Sequence, residues 1–189
     1  MKFTPTTIAD VVLIEPRVFE DGRGWFTESF NERAFALGLA GLGLAEPDPF
    51  VQDNHSSSGK GVLRGLHYQV APDAQAKLVR VVSGRAFDVA VDIRTESATF
   101  GQWVGVELSA SNRLQLWIPA GFAHGFLALD DDTQFVYKAT RYYAPGSERT
   151  LRWDDPQLDI AWQLPMGKDA PILAAKDASA PGLQELRST

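Results

Sequence analysis

The stretch Phe87-Asp88-Val89-Ala90-Val91-Asp92-Ile93 decides the fold class. Large apolar residues alternate with acidic or small ones, the period of two that a β-strand imposes on a chain with one face turned to a core. Phe87, Val89, Val91 and Ile93 share one face, and Asp88, Ala90 and Asp92 share the other, where they can line a cavity. Working outward, short apolar segments recur on both sides of it. Val11–Ile14, Trp25–Phe30, Phe50–Val51, Val62–Tyr68 and Leu78–Val82 precede it, and Trp103–Leu108, Leu114–Ile118, Phe122–Leu129 and Phe135–Ala139 follow. Val104, Val106 and Leu108 alternate with Trp103, Gly105 and Glu107, and Leu114, Leu116 and Ile118 with Gln115 and Trp117, so both segments read as half-buried strands. Sixteen glycines and 11 prolines supply the turns between them. This spacing predicts an all-β domain, an antiparallel sandwich or barrel.

One helix interrupts the pattern. Asn31 can cap its free amides, Glu32 suits its first turn, and Phe35 and Leu39 fall on one side, with the three glycines that follow expected to end it. From Met166 onward the chain is rich in Ala, Lys and Asp and contains Pro171 and Pro181, so composition alone predicts a mobile tail. With 189 residues, 44% hydrophobic and 22% charged, one folded core is expected. The absence of cysteine excludes disulfide scaffolds, thiolate metal sites and cysteine nucleophiles, and fits a cytoplasmic protein. The longest apolar stretch, Ala34 to Ala45, is broken by three glycines, and Met1-Lys2-Phe3-Thr4-Pro5 has no signal-like core, so neither a membrane span nor a leader is expected. A net charge of −6 without a basic run argues against nucleic acid. A phosphate-bearing small molecule stays possible, since a few local cations suffice to hold it.

Only three histidines are present, His55, His67 and His124. His67 lies in Val62-Leu63-Arg64-Gly65-Leu66-His67-Tyr68-Gln69, where three polar groups crowd an apolar strand, as expected of a lined pocket. Strict alternation would put Arg64 and His67 on opposite faces, so both reach one ligand only if the strand is bulged, and Gly65 is the place for it. His124 ends Pro119-Ala120-Gly121-Phe122-Ala123-His124, a pattern that resembles the second motif of the cupin superfamily of small jelly-roll barrels. The paired histidines and glutamate of the cupin metal signature are missing, so a metal would be short of ligands.

Several blocks together resemble one cupin-fold family, the dTDP-4-dehydrorhamnose 3,5-epimerases. They are Asp21-Gly22-Arg23-Gly24-Trp25-Phe26-Thr27-Glu28-Ser29, Phe50-Val51-Gln52-Asp53-Asn54-His55-Ser56, Val62 to Gln69, Ala76-Lys77-Leu78-Val79-Arg80, Phe87 to Arg94 and Thr99-Phe100-Gly101-Gln102-Trp103. Trp117 to Phe126, Tyr137-Lys138-Ala139-Thr140, Tyr142-Tyr143 and Ala175-Lys176-Asp177 complete the set in the family's order, from about residue 10 to residue 181. The resemblance implies a cupin-like jelly-roll barrel with a few short peripheral helices. It also implies a single domain over 1–189 whose segment from about 166 to 189 folds back over the barrel mouth. The implied substrate is a thymidine diphosphate sugar with a C4 ketone, inverted at C3 and C5 without cofactor or metal on the way to dTDP-L-rhamnose and surface polysaccharide.

Inversion beside a ketone needs a base, a proton donor on the other face and a stabiliser for the enolate oxygen. The resemblance assigns His67 as base, Tyr137 as acid and Asp177 as the group that orients His67; Asp88 and Asp92, on the polar face of their strand, are rivals for that last role. Lys77 is expected to supply positive charge at the enolate, with Arg64 or His124 assisting. Arg23 and Arg64 suit diphosphate oxygens, Tyr143 is placed to stack on thymine, and Glu28, Gln52, Asn54, Glu148 and Lys176 match positions that contact nucleotide or sugar. Single-site epimerases, acting at C3 or C5 only, share these residues and remain an alternative. A non-catalytic sugar-nucleotide-binding cupin would be expected to have lost His67, Tyr137 or the Lys176-Asp177 pair. An open sheet edge and aromatic surface suit a homodimer, and the resemblance implies one with strand exchange near the N-terminus.

Overall fold

The computed structural model describes residues 1–164 and 170–186. Two antiparallel sheets face each other. One has the order β1 (Lys2–Pro5), β2 (Val12–Glu15), β10 (Gln115–Ile118), β7 (Lys77–Ser83), β12 (Thr133–Ala139) and β5 (Gln52–Ser58). The other runs β13 (Glu148–Thr150), β6 (Leu63–Gln69), β11 (Phe122–Ala128), β8 (Arg85–Asp92) and β9 (Trp103–Ser109). A separate hairpin pairs β3 (Val18–Asp21) with β4 (Gly24–Thr27), and three helices, α1 (Glu32–Ala40), α2 (Ala175–Ala178) and α3 (Leu183–Leu186), lie at the periphery. The two sheets bear out the antiparallel sandwich or barrel that the strand pattern predicts, in the jelly-roll form that the resemblance implies. No helix among the described residues is long and apolar enough to cross a membrane.

The alternation in β8 works as read from the sequence, but both faces are covered. Ala86 and Ala90 join Val79, Leu116, Phe126 and Phe135 between the sheets. Phe87, Val89 and Val91 face outward into a second cluster with Leu63, Leu66 and Leu127, which Trp153, Trp162, Leu173 and Leu183 of the later chain cover. A third cluster lies on the outer side of the other sheet, beneath α1. Asn31 caps that helix, its Oδ1 accepting from the Ala34 amide at 3.0 Å, and Phe35 is packed edge-on against Trp117, with ring centroids 5.2 Å apart.

Four expectations need correction. Because α1 covers β10, Gln115 and Trp117 are buried as fully as their neighbours, and that strand is not half-exposed. Gly38 lies inside α1 instead of ending it; a side chain there would strike the Phe3 ring. The segment Phe50–Val51 only leads into β5, whose polar run Gln52-Asp53-Asn54-His55-Ser56-Ser57-Ser58 gives no apolar signal, and Trp25–Phe30 contributes only the short hairpin strand β4. The tail is docked, not loose. Ile172 bridges in parallel to Val62, the Arg152 amide donates to the Pro181 carbonyl at 2.8 Å, and the Leu183 amide donates to Asp155 Oδ2 at 2.7 Å. Residues 166–169 and 187–189 of that segment lie outside the described residues.

Candidate active site

One bulge sets the site. His124 of β11 pairs with His67 of β6, yet Phe126, two residues on, pairs with Arg64, three residues back, so β6 carries one extra residue. The phase of alternation flips there. Leu63, Leu66 and Tyr68 all join the outer cluster, while Arg64, His67 and Gln69 line one cavity. Gly65 makes this possible: its φ is +126°, and a Cβ there would lie 2.5 Å from the Gly125 Cα. The kink inferred at Gly65 is therefore present.

The cavity has a volume of about 510 Å³ and opens between the sheets. His67 sits on one sheet, and Lys77 and Tyr137 on the other. His67 Nε2 donates to Asp177 Oδ1 at 2.7 Å, and Asp177, 2% exposed, also accepts from the Gly65 amide at 3.3 Å. A neutral ring tied this way leaves Nδ1 as its unprotonated nitrogen. Burial pushes the His67 pKa below the usual 6.5, Asp177 opposes that shift, and Lys176 and Lys77 reinforce it. Asp177 is thus the carboxylate bonded to His67, the place for which Asp88 and Asp92 were rivals. Asp88 is bound to His124 instead, Oδ1 accepting from Nε2 at 2.8 Å. Asp92 accepts from Arg94, Ser97 and Thr99.

Lys77 is buried, donates to the His67 carbonyl at 3.3 Å, and lies 5.8 Å from the centre of the Tyr137 ring. Desolvation brings its pKa down to about 8 against the attraction of Asp88 and Glu148. The Tyr137 phenol is pushed above 10, chiefly by burial and then by Glu148, so it holds its proton at neutral pH. At the mouth, Glu148 accepts from the Tyr143 hydroxyl at 3.1 Å and from Lys176 at 2.9 Å. Arg64 is steadied by Ser58 Oγ at 2.9 Å.

Asn54, Arg64, His67, Lys77, His124, Tyr137, Tyr143, Glu148, Lys176 and Asp177 therefore line one cavity. Gln52 stands beside it, bonding Asn54 and the Tyr143 amide. Arg23 and Glu28 do not line it. Arg23 is paired with Asp21 in the β3–β4 hairpin turn, and Glu28 accepts from Asn31 at 3.3 Å. Gln69, the third polar group expected to line the pocket, also fixes the loop bearing Tyr143, accepting from the Ala144 amide at 2.7 Å and donating to the Asp73 carbonyl at 2.7 Å. A buried amide in an apolar strand was the available signal. Among the described residues no group of three or more His, Asp or Glu side chains could hold a metal ion.

Residues 5–185 match the family model described as dTDP-4-dehydrorhamnose 3,5-epimerase. The chain is 56% identical over 177 residues to the enzyme of that name from Pseudomonas aeruginosa, covering 94% of this chain and 93% of the relative. It is 54% identical over 180 residues to that of Salmonella typhimurium, covering 95% and 94%. A crystal structure of a dTDP-6-deoxy-D-glucose-3,5-epimerase from Legionella pneumophila, in complex with dTDP-4-keto-L-rhamnose, superposes with a TM-score of 0.88 at 49% identity, covering 98% of this chain and 96% of that one. With a family model spanning nearly its whole length and such relatives on either side, the chain belongs to the dTDP-4-dehydrorhamnose 3,5-epimerase family.

Proposed function

We propose that this protein is an isomerase that converts dTDP-4-dehydro-6-deoxy-D-glucose to dTDP-4-dehydro-L-rhamnose by inverting C3 and C5. The observation that carries this reading is the His67–Asp177 pair facing the same cavity as Lys77 and Tyr137. The C4 ketone acidifies the hydrogens on both neighbouring carbons, so one base beside the ring can serve each in turn. His67, neutral at physiological pH, takes the proton at Nδ1 while Asp177 steadies the imidazolium that forms. The Lys77 ammonium, in a dry setting, stabilises the negative charge that moves onto the ketone oxygen. Tyr137, arriving from the opposite sheet with its proton retained, returns a proton to the other face of the sugar. Each step is a proton transfer, so the reaction balances without an oxidant.

Arg64 serves the diphosphate, Tyr143 stacks on thymine, and Asn54, Gln52, Glu148 and Lys176 position nucleotide and sugar. Arg23 and Glu28 lie on or beside a hairpin whose Phe19, Trp25 and Phe26 are exposed by 48%, 55% and 68%. An apolar ribbon of this kind suits a homodimer in which each hairpin serves the partner's cavity. Sedimentation is expected to give a dimer, and a fully active, concentration-independent monomer would remove that part of the reading. The absence of cysteine fits a cytoplasmic setting, and the docked tail fits a single catalytic unit over the whole chain.

The test is proton NMR of dTDP-4-keto-6-deoxyglucose with the purified protein in heavy water, following deuterium at C3 and C5 separately. Label at both carbons with formation of the L-sugar is expected. Label at one carbon would make it a single-site epimerase, and label at neither with nucleotide still bound would make it a binding protein.

A further inference from the structure

One buried carboxyl, Asp88, takes no part in the proton transfers. Asp88 is 0% exposed and lies on the inner face of β8, across from Phe126, which is stacked on Phe135 with centroids 4.1 Å apart. Its Oδ1 holds the His124 ring, but its Oδ2, equally buried, has no hydrogen-bond partner. A tether for an imidazole needs only a neutral acceptor, and a full carboxylate among phenylalanines is expensive unless a cation faces it. His124 and His67 are direct partners across β11 and β6, so their side chains share one wall of the cavity. The buried cation in that cavity is Lys77.

We propose that Asp88 is a positioning residue whose charge keeps Lys77 protonated where the enolate oxygen forms, while its other oxygen fixes the His124 ring beside it. This rests on the epimerase reading above. The charged and titratable groups around Lys77 support the assignment. His67 and Arg64 approach from β6, His124 from β11 and Tyr137 from β12, and none of these is a carboxylate. Asp177 of α2 is committed to His67, and Glu148 of β13 is shared between Tyr143 and Lys176. Asp88 is the carboxylate in the dry wall with an oxygen to spare, and its attraction to Lys77 exceeds that of Glu148.

The test is the pH profile of kcat/KM for Asp88→Asn, an isosteric change that still hydrogen-bonds His124. Loss of the Lys77 proton sets the basic limb. Removing an opposite charge at close range lowers an ammonium pKa by about one unit or more, so the basic limb is expected to move down by that amount. Activity at pH 8, at the wild-type midpoint, should fall at least about fivefold with the affinity for dTDP unchanged. A limb that stays in place, with kcat alone reduced, would make Asp88 a purely structural tether and overturn the proposal. If the asparagine protein does not fold, Asp88→Glu serves: a retained charge predicts the wild-type limb with a reduced kcat, and a limb displaced downward refutes it. Failure of the epimerase reading is told apart by the wild-type protein, which would then exchange no deuterium at any pH.

Discussion

Replacing Lys77 by Met is expected to stabilise the fold while destroying its activity. Met matches the stem of the lysine in length and removes the ammonium. A lysine whose pKa lies at about 8 instead of 10.5 is paying for its burial. At about 1.4 kcal/mol per pH unit, that burial costs on the order of 3 kcal/mol at neutral pH. The attraction of Asp88 and Glu148 is already included in that displacement. Losing the bond from Nζ to the His67 carbonyl takes back about 1 kcal/mol. The remaining gain of roughly 2 kcal/mol corresponds to a rise in Tm of about 4–8 °C for a domain of this size. The sign with pH is also fixed. The folded pKa is depressed, so the Lys77 penalty is absent above pH 10.5, grows as the pH falls from there to about 8, and is constant below that. The advantage of the Met variant should therefore be full at pH 7 and shrink between pH 8 and 10.5. Thermal melts at pH 7 and pH 10, with deuterium exchange as the activity readout, check both halves. A Met variant that melts below wild type at pH 7, or whose advantage does not change with pH, would refute the reasoning.

Asp177→Asn should reduce kcat by about 10–200-fold, the equivalent of one hydrogen bond to a charged group. It should also move the acidic limb of kcat/KM to lower pH, because Asp177 raises the His67 pKa against burial; steady-state rates from pH 5 to 8 measure both. Gly65→Ala should cost about 2–5 kcal/mol in urea melts, since it combines a φ of +126° with a backbone collision and would straighten the bulge that aims His67. Asp92 is buried, but bonds from Arg94, Ser97 and Thr99 outweigh that and hold its carboxyl at about 2. Asp92→Asn should therefore lose on the order of 2 kcal/mol at pH 7, and the difference from wild type should disappear as the pH falls from 3.8 through about 2.

The barrel was legible because β8, β9 and β11 carry apolar residues at the right period, and the helix because Asn31, Phe35 and Leu39 agree with one another. The polar strand β5 was not, since its edge position makes hydrophobic alternation unnecessary. The full burial of Trp117 was not either, because it depends on a helix some eighty residues earlier. The bulge could be inferred from the conflict between Arg64 and His67 on one strand. The partners of Asp88, Asp92 and Asp177 could not be separated by periodicity, because each pairing depends on how sheets and tail meet in three dimensions. Composition misread the tail outright: its small and charged residues are those of a surface strip that delivers one buried carboxylate.

That carboxylate stands 110 positions after the histidine to which it is bonded. Both sheets are complete once residue 150 has been placed, and a polypeptide halted soon afterwards would still contain His67, Lys77 and Tyr137. Its imidazole would have nothing to align it, and the outer apolar face of β8 would lack its cover. On the proposed mechanism, both sheets are thus synthesised before the carboxylate that orients the base, and a product truncated between them is expected to be strongly impaired. Fraying of a strip of about ten residues around Asp177 would leave both sheets in place but would free His67 from its carboxylate and Glu148 from Lys176 together.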